Sequence, residues 1–110
     1  MDIHAFVQNF IRTSNAYDLD GYLILFHEDA TLEDVAVGET FTGHERIREY
    51  FTTYFIEYET QTELTKLDIK AGSAYIEADF SGNFAKDKLK GSFEFIFRDS
   101  KIAEAKADLI

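Results

Sequence analysis

The stretch ATLEDVA, residues 30–36, holds the side chain best suited to chemistry. On a strand, Leu32 and Asp34 point to the same side. Leu32 calls for a core, so an acid on its face poses a choice. Either the strand ends there and Asp34 meets water, or Asp34 looks into a cavity, where a carboxylate serves as general base or polar anchor. Tyr50 and Tyr54 stand one helical turn apart. A buried phenol needs a hydrogen-bond partner, so either one offers a donor to a ligand. His4, His27 and His44 are expected near helix ends and form no H-x-x-x-H or H-x-H pair, so no metal site is expected. The chain has no cysteine, which removes disulfides and thiolate ligands from consideration. It also lacks a G-x-S-x-G nucleophile motif and a phosphate loop, and no cofactor is expected.

Lys and Arg number 11 against 21 Asp and Glu, a net charge of −10. Nucleic-acid binding rests on basic side chains neutralising phosphates, and anionic membranes repel an acidic surface, so neither partner is expected. No apolar run is long enough for a membrane span, and MDIHAF does not read as a signal peptide. A cytoplasmic location is the expectation. The 110 residues suit one domain, residues 1–110, with an apolar share of 45% that supports a real core.

These candidate groups need elements to position them. Ile3, Phe6, Val7, Phe10 and Ile11 recur at helical spacing, and Asp2 is placed to cap the first turn. Asp18 suits the start of a second helix carrying Leu19, Tyr22, Leu23 and Phe26; Tyr17 falls in the loop between the two. HEDA is expected to close that helix and lead into a strand over 30–35, with GETF returning as a second strand. Thr42-Gly-His-Glu45 matches a capping box ahead of a third helix bearing Ile47, Tyr50, Phe51, Tyr54 and Phe55. Beyond residue 56 the period becomes strand-like. Ala71-Gly72, Lys86-Asp87 and Asp99-Ser100 read as turns between long strands; Phe93, Phe95 and Phe97 share a face; and Gly82 and Gly91 fall in strand interiors, where bends arise. The pattern predicts an α+β fold, with a curved antiparallel sheet wrapped over three helices as a cone.

The run NAYDLDGYLILFHEDATLEDVAVGETFTGHERIREYF resembles the first half of the ketosteroid isomerases and their SnoaL-like relatives, in the nuclear transport factor 2-like superfamily with its cystatin-like architecture. The likeness is carried by DLDG, by F-x-x-DAT-x-ED and by G-x-x-x-IREYF, over about residues 9–52. It implies a cone with a pocket, and it places the catalytic base on Asp34, facing that pocket. It implies a homodimer through the outer face of the sheet. The isomerase needs two donors for the enolate oxygen, a tyrosine and a protonated acid. The tyrosine position aligns with Phe10, which donates nothing, and in the acid's strand Glu94 alternates away from Phe93, Phe95 and Phe97. Ordinary ketosteroid isomerase activity is therefore not expected. The pocket is expected to be lined by Phe10, Tyr17, Leu32, Tyr50, Tyr54 and Phe95. Two functions follow as expectations. One is a small-molecule pocket protein that transfers a proton on an apolar carbonyl compound with Asp34 as base. The other is a non-catalytic binding or interaction module whose cone is filled by its own aromatics.

Overall fold

A computed structural model describes residues 1–110. Helix α1, Ile3–Asn15, buries the predicted apolar stripe, and the Asp2 carboxylate accepts from the Ala5 N–H at 3.0 Å. Tyr17 ends it with a φ of 56°. Helix α2, Leu19–Leu23, is a short turn capped by Asp18, which accepts from the Gly21 N–H at 3.0 Å. Strand β1 then runs over Phe26–Asp34. HEDA is thus strand rather than helix end, and His27 lies inside β1. The chain leaves helix early because the Leu25 carbonyl is taken by the Ile102 N–H at 2.9 Å, which draws Phe26 into the sheet.

Strand β2 is Glu39–Thr42 and helix α3 is Gly43–Phe51. The capping box does not form, since the Thr42 side chain makes no cap hydrogen bond. Thr42 is held opposite Thr31 in the sheet, and Gly43, at a φ of 84°, makes the turn into the helix. After Phe51 the helix widens into a π-helical turn, Thr52–Ile56, where the Glu57 N–H reaches back to the Thr52 carbonyl. Strands β3 (Gln61–Lys70), β4 (Ser73–Ser81), β5 (Leu89–Arg98) and β6 (Lys101–Leu109) follow. Asp99 and Ser100 both take positive φ, 51° and 65°, as a two-residue hairpin of the right-twisting kind demands.

The six strands form one curved sheet in the order β2-β1-β6-β5-β4-β3. It is not wholly antiparallel, because β1 runs parallel to β6. That pairing brings the ends of β1 and β6 side by side, with Asp34 opposite Ala107. The edge strand β3 is tied to α1 by Asn15, whose side chain both accepts from the Thr62 N–H at 2.7 Å and donates to the Thr62 carbonyl at 2.9 Å. Gly91 sits inside β5 as expected. A Cβ there would stand 2.7 Å from the Phe80 ring and 3.0 Å from the Asp108 carbonyl. Its bareness lets Phe80 fold over the sheet. Gly82 falls one residue beyond β4, where the Tyr58 carbonyl and the Phe84 ring crowd it.

The narrow part of the cone is filled with rings. Phe10 packs on Tyr22, Phe93 and Phe95, with centroids 5.3, 5.4 and 5.0 Å away. Tyr22 stacks on Phe51 at 4.0 Å. Its hydroxyl is buried without a hydrogen-bond partner, and burial pushes its ionisation far above the ordinary phenol range. An unsatisfied buried polar group costs about 1–3 kcal/mol. Tyr22→Phe is therefore expected to stabilise the fold by about 1 kcal/mol, raising Tm by about 4–8 °C. The same phenol fixes a pH dependence. Unfolded tyrosine ionises near about pH 10; the folded one does not, so the unfolded state releases the extra proton. Stability therefore falls as pH rises above about 10, and Tyr22→Phe flattens that fall. Urea unfolding of both forms across pH 8–11 checks both effects.

Candidate active site at the mouth of the cone

Along β1, Ala30, Leu32 and Asp34 alternate inward and are buried. Asp34 ends the strand, yet its carboxylate turns in rather than out to water. Oδ1 accepts from the Val37 N–H at 3.1 Å, while the Asp34 carbonyl takes the Gly38 N–H at 2.8 Å, so the turn after β1 folds around the side chain. Oδ2 accepts from the Tyr50 hydroxyl at 2.8 Å. Both partners are donors, which suits the ionised, acceptor-only form.

Tyr50 comes from the buried face of α3. Burial, then the negative charge of Asp34, raises its ionisation well above the ordinary phenol value. It remains a hydrogen-bond donor throughout the working range of a protein. Tyr54 and Tyr58 continue the row at four-residue steps, with ring centroids 5.3 and 5.8 Å apart. The π-helical turn carries Tyr54, and the Thr60 hydroxyl clamps that turn by donating to the Tyr54 carbonyl at 2.7 Å. The Tyr54 phenol makes no hydrogen bond within the chain. Desolvation, then the charges of nearby Tyr58, Glu39 and Asp34, raises its ionisation too.

These groups wall a cavity of about 170 Å³. One side is Asp34, Ala36 and Val37; another is Tyr50, Tyr54, Phe55, Tyr58 and Thr60. The sheet contributes Phe80 from β4, Leu89, Ser92 and Phe93 from β5, and Ala107, Asp108 and Leu109 from β6, with Phe84 from the loop between β4 and β5. No Lys, Arg or His lines it.

The cavity therefore gathers Asp34, Tyr50 and Tyr54 but not the other expected wall residues. Phe10, Leu32 and Phe95 are core residues, at most 1% exposed, packed below the cavity rather than lining it. The rings of the lower cone touch one another and leave no space there. Tyr17 lies outside the cone; its positive φ turns it toward β3, where its hydroxyl accepts from Gln61 Nε2 at 2.9 Å. Glu94 is exposed on the outer face, so no acid joins the site from β5. Arg98 pairs with Asp29 at 2.8 Å, at the opposite end of the sheet from Asp108. Tyr58, Phe80, Phe84 and Phe93 went unmarked as wall residues. For Tyr58 a signal was present, since Tyr50-x-x-x-Tyr54-x-x-x-Tyr58 repeats with a helical step. Phe84 carries no such mark.

Residues 7–105 match the model of the SnoaL-like domain. The fold is similar to that of a polyketide cyclase candidate from Sinorhizobium meliloti, protein SMa1630, with a TM-score of 0.85, 20% identity, and coverage of 94% of this chain and 93% of that one. A Catenulispora acidiphila protein with a ketosteroid isomerase-like fold, in complex with trimethylamine, aligns with a TM-score of 0.82 and 20% identity over 93% of this chain and 82% of its own. A nuclear transport factor 2-like protein of unknown function from Cytophaga hutchinsonii gives 0.83 and 13% identity, over 100% of this chain and 91% of its own. At such identities these structures speak to the fold.

Proposed function

The chain belongs to the SnoaL-like domain family, and on that footing we propose that it takes one small, largely apolar carbonyl compound into the cone's mouth and moves a proton on it with Asp34 as base. The observation that carries this reading is the inward Asp34 carboxylate, held by Tyr50 and the Val37 N–H, at the wall of a largely apolar cavity. Size narrows the substrate. A cavity of roughly 150 Å³ accepts benzene, so about 170 Å³ accepts about one ring. A four-ring steroid is several times too large. Trimethylamine in the Catenulispora acidiphila complex supports a ligand of this small size.

In this reading Asp34 removes a proton from the carbon beside the carbonyl. The C–H bond breaks, its electron pair becomes the new carbon–carbon double bond, and the negative charge moves to oxygen. The Tyr54 hydroxyl, unpartnered at the wall, donates to that oxygen. Tyr50 orients the carboxylate and stays protonated. Phe10 and Glu94 supply no donor, so the oxyanion is held by fewer groups than in a ketosteroid isomerase.

The test is solvent deuterium uptake beside the carbonyl. Cyclohexanone is expected to exchange faster with the protein than without it, and a steroid ketone at the background rate. Equal background rates for both compounds overturn the reading.

A further inference from the structure

We infer, building on that reading, that the compound this cavity takes carries a protonated or quaternary amine. The first ground is the charge of the wall. Asp34 is 9% exposed, and its partners are a phenol and a backbone N–H, with no cation among them. Buried charges are ordinarily paired, and an unpaired one is costly. No Lys, Arg or His lines the cavity. Of the other acids about the site, Asp108 stands in the same wall and adds negative charge, while Glu39 is paired with Arg46. A cationic ligand supplies the missing counter-charge, whereas an anionic one meets only a like charge.

The second ground is the lining itself. Tyr54, Tyr58 and Phe84 form a run of neighbouring rings at the mouth, with centroids 5.8 and 5.6 Å apart, and Tyr50, Phe80 and Phe93 continue the wall inward. Aromatic faces attract ammonium groups, most strongly when water is excluded, and rings around a quaternary nitrogen are their usual recognition element. Tyr50 and Tyr54 both ionise above the ordinary phenol value, so the phenols are π surfaces and donors rather than competing anions.

The third ground is chemical. Removing a proton beside a carbonyl leaves an anion, and this site offers that anion a half-buried Tyr54 in place of a full donor pair. An ammonium group within the substrate offsets the new charge internally. An amine-bearing carbonyl compound of about one ring's size therefore fits a base served by a single oxyanion donor.

Choline and 3,3-dimethylbutan-1-ol form the test, because they share a shape and differ by a charged nitrogen against carbon. Binding of each is measured by calorimetry on the intact chain at low salt. Choline is expected to bind at least about tenfold more tightly, a difference of about 1.4 kcal/mol. Asp34→Asn is expected to bring choline down to the level of the alcohol. The comparison of the two probes on the wild-type chain decides even if that variant does not fold. Choline binding no tighter than the alcohol, with the alcohol bound, overturns the cationic ligand and leaves the cavity reading standing. Choline preference untouched by Asp34→Asn in a folded variant also overturns it. Failure of both probes to bind overturns the cavity reading and the inference together.

Discussion

Phe51→Ala is expected to lower the unfolding free energy by about 3–5 kcal/mol, the usual cost of deleting a buried Phe. Phe51 is fully buried and lies between two rings, stacked on Tyr22 at 4.0 Å and on Phe55 at 5.5 Å. It stands where α3 gives way to the π-helical turn, so its ring joins the helix layer to the filled base of the cone. Its neighbours are stiff aromatics that collapse poorly into a void. A domain of this kind has about 5–15 kcal/mol of stability in all, so the loss is a large fraction of it. Urea unfolding measures the effect. Phe51→Leu, which keeps most of the volume, is expected to cost far less. A loss below about 1 kcal/mol for the alanine variant contradicts a tightly packed lower cone.

Asp34→Asn is expected to reduce deuterium exchange into cyclohexanone by about 10²–10⁴-fold, the usual worth of a positioned general base. Asparagine keeps the volume and can accept the Tyr50 hydroxyl, but its amide does not take up a proton. It also has one acceptor oxygen for the two donors that now converge on Asp34, Tyr50 and Val37. A stability loss of about 1–3 kcal/mol accompanies the change. Tyr50→Phe separates the roles. It leaves Oδ2 without its buried donor and costs a similar amount of stability, but the base remains and the exchange rate falls less. Equal rates for wild type and Asp34→Asn contradict the assignment of Asp34 as base.

The parts of the fold written in local periodicity were legible from the residues. The stripe from Ile3 to Ile11, the alternation of Phe93 and Phe95, and the turn at Asp99-Ser100 each follow from spacing or backbone preference. The alternation with Leu32 left Asp34 open between water and a cavity, and only the family resemblance carried by the DATLED run implied the inward side. The parallel pairing of β1 with β6 was not legible, because it joins residues more than seventy positions apart in the chain with no local mark. Phe10, Leu32 and Phe95 lie in the packed core below the cavity. Which part of the concave face is filled depends on how the rings of α1, α2 and α3 meet, a matter of packing rather than of pattern. Thr42 carries a capping-box sequence, yet its pairing with Thr31 and the turn at Gly43 prevailed over the local signal. The wall at Phe80 depends on the missing side chain of Gly91, on the neighbouring strand and two residues off in register.

The central claim is that a small ligand reaches Asp34 inside the cone's mouth. The most direct test follows the backbone amide resonances while cyclohexanone is titrated into the protein. The Val37 N–H donates to Asp34 Oδ1, so its resonance reports on that carboxylate. The account predicts saturable shifts at Val37 and at Thr60, Phe93 and Ala107 around the cavity, with the outer-face residues Glu77 and Glu94 unmoved. Shifts confined to the outer face, or none at Val37 at any concentration, contradict it.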